Sequence, residues 1–531
     1  MGTLWYNGTF FTMNGESETV EAVYVEKGYI VAIGTKVELE HIHSNQINKR
    51  IDLHKKYIYP GFVDSHLHII GHGEKIIRLD LSNVTSAEEM KQLLLNKVSS
   101  TKKGEWVIGE GWNENNFPDR KIFHRQELDD ISSEHPIMLT RVCRHAILAN
   151  SKALEIAKIR KSQVDPQGGI IVKDNEGEPT GYLLDEAQEI VKECVPEVSE
   201  AYLHKALQVA VDDMLSLGLV GGHTEDLAYY GGFERTFTTF QKVIDGTTRK
   251  FRAHLLVHHD VVDTMQQNYN QGEITPFLEF GGMKIFADGA LGGRTALLSK
   301  PYNDAPETSG VAIHTSEELE SLVKKARDYD MSVAIHVIGD LALEMAIETI
   351  KKHPVKQGLR DRLIHLQVTR KELLVELQKL SVVLDIQPMF VSSDFPWVQE
   401  RLGEERLPYS FAWKTLMEHG LHCAGGSDAP IEPVNPLQGI HAAITRRKPE
   451  ESHEGYGKNE KLSAFEAVSL FTTGSAYAIG KEETRGKIFP GYTADFTVLD
   501  QNLFEIEPDQ ILKTKVLKTV VDNTIMYERG N

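Results

Sequence analysis

Cysteine is scarce in this sequence. The 531 residues contain three, Cys143, Cys194 and Cys423, which lie far apart along the chain. That number and spacing exclude a disulfide framework and a zinc cluster of cysteines, and they favour a reducing compartment. Histidine, in contrast, occurs 22 times. Imidazole is therefore the expected ligand if the protein binds a metal.

Long hydrophobic runs and an excess of positive charge are also lacking. The sequence has no stretch of about 18 apolar residues, the length that a membrane-spanning helix needs, and its first residues lack the basic and apolar regions of a signal peptide. Lys and Arg number 58 against 77 Asp and Glu, so the formal net charge of −19 repels nucleic-acid phosphates and anionic membranes. We expect a soluble, cytoplasmic protein that acts on a small molecule, with neither nucleic acid nor membrane as a partner.

The two ends of the chain have the pattern of short β-strands. Turns at Asn7-Gly8 and Glu26-Lys27-Gly28 separate apolar runs near the N-terminus, and an Asp522-Asn523 turn does so near the C-terminus. Neither end alone offers much core. Because chain termini often lie close together, residues 1–56 and 480–531 are predicted to form one small β-sandwich domain.

The central part of the chain, residues 57–479, alternates short apolar runs with helical periodicity, which is typical of βα units and a parallel sheet. Its eight candidate strands are residues 57–64, 217–224, 251–258, 282–287, 333–338, 362–367, 382–387 and 421–426. Their number and the chain length predict an α/β fold of the (β/α)8 TIM-barrel type. An open doubly wound sheet is the alternative, but no Gly-x-Gly-x-x-Gly motif follows the first strand.

The interval between the first and second candidate strands is far longer than a βα loop needs. It contains one helical pattern and several strand patterns. We therefore expect an inserted α+β subdomain at about residues 73–200. Because it leaves the C-terminal end of the first strand, this subdomain is expected to lie over the mouth of the barrel.

Four histidines lie at the ends of candidate strands. His66 and His68 end the first strand, where a spacing of two places both imidazoles on one face. His336 ends the fifth strand and His365 the sixth. Taken singly, the first two could be a structural pair and the others satisfied core histidines.

Two charged residues occupy the same level of the predicted barrel. Lys284 lies within the fourth strand among apolar residues, where a charged amine is costly to bury. Asp428 follows the eighth strand, just before Ala429-Pro430. A buried ion pair would explain the lysine alone, and a helix N-cap would explain the aspartate alone.

The joint occurrence of these six residues is more specific than any one of them. All are placed where the C-terminal ends of barrel strands converge, which is the active-site face of such barrels. Imidazole and carboxylate ligands suit zinc, manganese, iron or nickel. A metal lowers the pKa of its bound water to near 7, and a nearby carboxylate can act as general base. The pattern predicts metal-assisted hydrolysis.

This ligand pattern, together with a β-sandwich split between the termini, resembles the amidohydrolase superfamily. Within it, five segments resemble the YtcJ-like branch of amidohydrolase family 3, which also contains the N-substituted formamide deformylases. They are GWNEN at 111–115, RVCRHAILANS at 141–151, PTG at 179–181, KIFADGALGGRTA at 284–296 and IQP at 386–388. The resemblance covers essentially the whole chain.

The resemblance implies one or two divalent transition metal ions, zinc first, with manganese, iron or nickel as alternatives. His66 and His68 would bind the more buried ion with Asp428, and the two histidines of the fifth and sixth strands, His336 and His365, the more exposed one. In a two-metal centre, a carbamate formed on a lysine with carbon dioxide would bridge the ions. That lysine is Lys284, and the sequence leaves one or two metals open.

The implied reaction is hydrolysis of a C–N bond in an amide, formamide or cyclic amide by a metal-activated hydroxide, with Asp428 as general base. Two alternatives stay open: another reaction of the same centre, such as hydrolysis of a different bond or an isomerisation, and a metal-free scaffold relative. All six candidate ligands are present, which argues against the scaffold. One departure is Ile364, where the family often has an acidic residue before the histidine of the sixth strand. A homodimer is compatible with the resemblance.

Candidate substrate contacts are expected around the barrel mouth. They are Trp112 and His145 in the insertion, Arg294 after the fourth strand, and Phe390 and Asp394 after the seventh. A place in the subdomain core would also explain the tryptophan, and a loop salt bridge would explain the arginine.

Three further histidines end predicted strands. His223 ends the second strand, and His258 and His259 end the third. The implied ligand set is complete without them, so they are interpreted as supporting or structural residues.

Overall fold

Eight parallel strands in consecutive order form the central sheet of the computed structural model, which describes residues 2–141, 146–166, 168–196 and 198–530. A short strand, Gly272–Thr275, pairs antiparallel with the fourth of them. The eight strands are β1 (Phe62–Leu67), β2 (Leu219–Thr224), β3 (Arg252–His258), β4 (Leu278–Phe286), β5 (Val333–Val337), β6 (Asp361–His365), β7 (Val382–Ile386) and β8 (Cys423–Gly425). The predicted TIM-barrel fold is confirmed.

The first barrel strand begins later than the sequence pattern predicts. The apolar residues 57–60 belong to a different strand, Ile47–Pro60, which pairs with Phe496–Leu499. Gly61 separates that strand from β1, and a Cβ atom there would lie 2.4 Å from Val220 Cγ1. Two buried strands joined through a single glycine give one continuous apolar run, which hydrophobic periodicity alone does not divide.

Hydrogen bonds just beyond β8 bring the two edges of the barrel together. The amide of Asp428 donates to the carbonyl of His66 at 2.7 Å, and the amide of His68 donates to the carbonyl of Ala429 at 2.8 Å. The segments that close the barrel therefore carry three of the six predicted metal ligands.

Helices follow the barrel strands, as expected of βα units. The one after β4 begins at a capping box formed by Thr315 and Glu318, and it buries Leu319 and Val323. No described helix combines the length and the apolar character that a membrane crossing requires. The helices of this part are Phe233–Val243, Val262–Gln266, Ser316–Asp328, Asp340–Lys352, Lys371–Leu377, Pro388–Asp394, Trp397–Leu402, Trp413–Glu418, Pro436–Thr445, Ala464–Ser469 and Ser475–Ala478, with a π-helical turn at Leu470–Gly474.

One eight-stranded sheet contains strands from both ends of the chain. The edges of Trp5 and Phe10 pack on the ring of Phe496, with ring centroids 5.7 and 6.0 Å apart, so the core of the sheet joins the two termini. A helix, Lys36–Ile42, covers part of it. Its strands are Gly2–Phe11, Thr19–Val20, Ala22–Glu26, Tyr29–Gly34, Ile47–Pro60, Phe496–Leu499, Val516–Val521 and Thr524–Glu528.

Residues His72–Val209 form a second compact unit of mixed α and β structure. The core of this unit contains Trp112, Leu94, Leu128 and Leu148. Its sheet has six strands, Leu79–Asp80, Val107–Trp112, Ile137–Arg141, Ala146–Ala149, Gly169–Lys173 and Pro179–Asp185. Its helices are Ala87–Ser100, Arg125–Ile131, Ser151–Ile156 and Glu189–Lys192, while Ile69–Ile77 and Glu200–Ser216 run across its boundaries.

A buried ion pair links neighbouring strands of the barrel. Arg362 on β6 donates through Nε to Asp385 Oδ2 on β7 at 2.7 Å, and both side chains are almost fully buried. The same guanidinium donates to the carbonyl of Ser65 on β1. Because the interior of such barrels is usually filled by branched apolar side chains, this pair makes the barrel core unusually polar.

Candidate metal centre

Two histidines and an aspartate meet where β1 ends and β8 is followed by its turn. The Nε2 atoms of His66 and His68 each lie 3.6 Å from Oδ1 of Asp428. One ligand atom from each residue lies within 4.8 Å of the other two. Asp428 has a φ of 56°, in the left-handed region that residues other than glycine adopt infrequently, although aspartate does so more often than most. Strained backbone of this kind concentrates at functional sites.

Lys284 joins this group from the middle of the barrel. Its Nζ atom lies 3.3 Å from His66 Nε2 and 4.7 Å from the ring centroid of Phe286, and the side chain is fully buried. Burial lowers the pKa of Lys284 to about 8, although Glu225 and Asp428 oppose that shift. The neutral amine is therefore a minor form at pH 7, about a tenth of the total, and becomes the major form above pH 8.

His336 and His365 lie beside the same group, at the ends of β5 and β6. Their ring centroids are 4.5 Å apart, and the ring of His365 is 5.4 Å from that of His66. His365 Nδ1 is 2.7 Å from Gln387 Oε1, and His336 Nε2 is 3.1 Å from the carbonyl of Gly289. Each ring has one nitrogen held by the protein, which leaves the other nitrogen available as a ligand.

Burial sets the protonation of the histidines. It lowers the pKa of His66 and His336 well below the ordinary value, and that of His365 to about 4. Neutral imidazole is the form that binds metals. His68 differs, since Asp428 outweighs burial and raises its pKa to about 9. A metal at this position would take the place of the proton that His68 shares with the carboxylate.

The chemistry of these side chains fits a divalent transition metal. Four imidazoles and one carboxylate supply nitrogen and oxygen donors, the set that zinc and its neighbours prefer. Burial raises the pKa of Asp428, but the hydrogen bond with His68 and the positive charges of His68 and Lys284 lower it by more, so the carboxylate is ionised. Nδ1 of His66 is buried and has no hydrogen-bond partner among the described residues.

Two acidic residues that the sequence reasoning missed support the centre from the end of β2. The carbonyl oxygen of Glu225 lies 2.7 Å from His68 Nδ1, and its carboxylate accepts a hydrogen bond from Tyr229 at 3.0 Å. Asp226 accepts hydrogen bonds from Thr224 Oγ1 at 2.6 Å and from a main-chain amide that follows β1. The sequence does carry a signal for both residues, because two adjacent acids directly follow β2, at the C-terminal end of a barrel strand.

The candidate substrate contacts in the barrel have different surroundings. Phe390 stacks on the ring of His365, with centroids 6.1 Å apart and planes 22° from parallel. Asp394 ends the helix that follows β7, and burial together with the charge of Glu432 raises its pKa to about 7. Arg294 forms a two-pronged ion pair with Asp304, at 3.2 and 2.7 Å, on a partly exposed loop.

The remaining two candidates belong to the insertion. Trp112 is fully buried in the core of the second unit, where its indole nitrogen donates to the carbonyl of Leu139 at 3.1 Å. His145 lies outside the described residues.

Imidazole, amine and carboxylate groups meet at the C-terminal ends of the strands of this parallel barrel. The arrangement is typical of barrel enzymes of the metal-dependent hydrolase class. Residues 49–527 match the model of the amidohydrolase family, and the chain belongs to that family. The family assignment made from the sequence motifs is thereby confirmed, and with it the assignment as a hydrolase.

Individual relatives agree with this assignment. The chain is 48% identical to the protein YtcJ of Bacillus subtilis (strain 168) over 531 residues, which is all of both chains. It is 24% identical to an N-substituted formamide deformylase of Arthrobacter pascens, with 98% of each chain covered. A solved structure of a metal-dependent hydrolase from Pyrococcus horikoshii OT3 is similar with a TM-score of 0.81 and 28% identity, over 96% of this chain and 99% of that one.

Proposed function

We propose that the protein is a metal-dependent amidohydrolase that cleaves a C–N bond in an amide, formamide or cyclic amide of a small molecule. The observation that carries the proposal is the convergence of His66, His68 and Asp428 within 4.8 Å, next to a buried lysine and two further histidines. The similarity to an enzyme named for deformylation of N-substituted formamides supports the choice of bond.

The proposed centre takes one or two metal ions, with zinc as the first choice. His66, His68 and Asp428 would hold one ion, and His336 and His365 a second. When bound, a divalent transition metal lowers the pKa of water and polarises a carbonyl oxygen. The proton transfers, the bridging group and the substrate contacts of the proposed reaction are assigned to side chains of this protein.

Asp428 is the proposed general base. Its Oδ1 atom lies between the two β1 imidazoles, 3.6 Å from each, so it reaches the position where the nucleophilic water would be held. The carboxylate is ionised and can accept a proton from that water, then deliver it to the departing nitrogen when the C–N bond breaks. One residue then serves both proton transfers.

Lys284 is the proposed bridging group when two ions are present. Its amine nitrogen would attack the carbon of carbon dioxide and release one proton, which converts a buried cation into an anionic oxygen ligand. The buried position and a pKa of about 8 support this, because the reaction needs the neutral amine. The carbamate would also remove the cost of a lone buried ammonium.

Phe390 and Asp394 are the proposed substrate contacts in the barrel. Phe390 lies against His365 and offers an apolar surface, and Asp394 offers a polar group in a buried position. Trp112, His145 and Arg294 stay proposals for the same role. We further propose that the protein acts on a small molecule in the cytoplasm and that it forms a homodimer.

The test is a screen of N-formyl, N-acyl and cyclic amide compounds with enzyme loaded with zinc or manganese. Chelator-treated enzyme, and the same enzyme reloaded with metal, are the controls. We expect hydrolysis of at least one class, loss of that activity on chelation and its return on reloading. Full metal occupancy without hydrolysis of any amide, or equal activity in the chelated enzyme, would overturn the proposal.

A further inference from the structure

A second cluster of imidazoles lies at the end of β3. His258 is the last residue of that strand, and His259 and Asp260 follow it directly. One ligand atom from each of the three lies within 4.8 Å of the other two. His258 Nδ1 is 3.4 Å from Asp260 Oδ2, and His259 Nδ1 is 3.2 Å from Asp260 Oδ1. Nothing in the proposed amide hydrolysis uses these residues.

A further imidazole, from a distant part of the chain, lies beside this cluster. His314 precedes the helix that follows β4, and its ring centroid lies 5.4 Å from that of His259. Its Nε2 atom is buried and has no hydrogen-bond partner among the described residues. A buried ring nitrogen without a partner is unusual in proteins and calls for an explanation such as a bound ion or water.

The distances within the cluster fit a small metal ion. Two ligand atoms on a tetrahedral zinc ion lie about 3.4 Å apart when each bond is about 2.1 Å long. The two histidine-to-carboxylate distances of 3.4 and 3.2 Å match that spacing. Two imidazoles and one carboxylate are also donors that zinc, nickel, cobalt and copper accept, whereas magnesium and calcium prefer oxygen alone.

His258 and His259 are in the form that binds metals. Burial and the neighbouring ring of His259 lower the pKa of His258 to about 4, and burial also lowers that of His259. Asp260 is 68% exposed, so solvent reaches the cluster and a metal ion has a route of entry.

A tight turn is the competing explanation for part of this geometry. The amide of Asp260 donates a long hydrogen bond, 3.3 Å, to His258 Nδ1, and the amide of Val261 donates to the carbonyl of His258 at 3.0 Å. Such a turn accounts for the position of Asp260. The turn does not involve the ring of His259 or the side chain of His314. Substitution of these two residues therefore distinguishes a metal site from a turn.

We propose that His258, His259 and Asp260, with the ring of His314 beside His259, form an accessory site for one divalent transition metal ion, separate from the catalytic centre. The site is tied to that centre through main chain, because the amide of His259 donates to the carbonyl of Lys284 at 3.1 Å. The ring of His258 also lies 5.9 Å from that of Phe286. A bound ion would fasten the residues before the helix Ser316–Asp328 to the end of β3.

The experiment counts metal ions on the intact holoenzyme. Wild-type protein and the variants His259→Ala and His314→Ala are equilibrated in zinc buffers of increasing free concentration, and protein-bound zinc is measured by elemental analysis. His453→Ala is the matched control, since this exposed histidine also lies beside a carboxylate, 3.1 Å from Glu451. His314→Gln provides a conservative version if the alanine variant folds poorly.

We expect the wild type and His453→Ala to bind one more equivalent of zinc than His259→Ala, His314→Ala or His314→Gln. The amount of zinc that stays bound at the lowest free zinc concentration should be equal in all of these proteins, because the catalytic centre is unchanged. Equal zinc in every protein would overturn the proposal, and so would loss of the extra ion in His453→Ala. His66→Ala, which damages the catalytic centre, should keep the extra equivalent, so this outcome is independent of the proposed amide hydrolysis.

Discussion

The Nδ1 atom of His68 lies 2.7 Å from the main-chain carbonyl oxygen of Glu225. That nitrogen therefore donates its proton to the carbonyl, and the ring turns its Nε2 atom toward Asp428. The carboxylate of Glu225 lies 3.8 Å from the same Nδ1. Burial raises the pKa of this carboxyl to about 7, so it adds a negative charge on that side of the ring only as the pH rises through that value. Such outer partners fix the tautomer of a ligating histidine and raise its basicity.

Replacing the carboxylate of Glu225 while keeping its main chain is expected to weaken metal binding. In Glu225→Gln the carbonyl still orients His68, but the negative charge that the carboxylate gains above its pKa of about 7 is gone. We expect a loss of metal affinity of about tenfold to a hundredfold, the usual range for such partners, measured by competition with a chelator of known affinity. Tyr229→Phe, which removes only the hydroxyl bonded to this carboxylate, is the control and should have a smaller effect. Unchanged affinity in Glu225→Gln would contradict the role.

Asp428→Asn is expected to abolish most of the hydrolysis. The amide keeps the size of the side chain but cannot accept a proton, so kcat should fall by about 10²-fold or more. Bound metal is measured in the same samples to separate loss of the base from loss of a ligand. Asp212→Asn, a change of the same kind at a surface ion pair with Arg249, is the control. Full activity in Asp428→Asn would exclude the residue as general base.

The buried pair of Arg362 and Asp385 makes a prediction about stability. Arg362→Met leaves the buried carboxyl group of Asp385 without its partner, which costs about 3–5 kcal/mol in the free energy of unfolding. The double variant with Asp385→Leu removes the unpaired carboxyl group as well and should recover most of that loss. Denaturant unfolding of the single and double variants measures both values. A double variant as unstable as the single one would show that the cost has another source.

The barrel could be predicted from the sequence because the barrel strands are short, apolar and separated by amphipathic helices. The six candidate ligands could also be chosen from the sequence, since the C-terminal ends of parallel barrel strands converge whatever loops lie between them. The hydrogen bond between His68 and the main chain of Glu225 could not be predicted, because a main-chain carbonyl oxygen carries no residue signature. The partner of Arg294 was unspecified for a similar reason, since the conformation of an irregular loop decides which of several acids it meets.

Asp394→Asn is expected to stabilise the protein in a pH-dependent way. Burial and Glu432 raise the pKa of Asp394 to about 7, so ionisation costs the folded state stability as the pH rises from the ordinary pKa of about 3.9 to about 7. The asparagine has no such cost. We expect the melting temperature of the variant to exceed that of the wild type by more at pH 8 than at pH 5.

The matched control for this prediction is Asp328→Asn, a change of the same kind on an exposed side chain. Its difference from the wild type should be the same at both pH values. If the difference for Asp394→Asn were also constant between pH 5 and pH 8, the raised pKa would be contradicted.

The hydrogen bonds that join the end of β8 to β1 have a consequence for biosynthesis. Asp64 accepts from the amide of Ser427, 363 residues further along the chain, and His66 accepts from Asp428 beside it. A growing polypeptide therefore carries His66 and His68 long before the aspartate that completes their site exists. In the proposed centre, full metal affinity therefore requires that the eighth strand has been synthesised and has docked. A bound ion would then indicate that the barrel has closed.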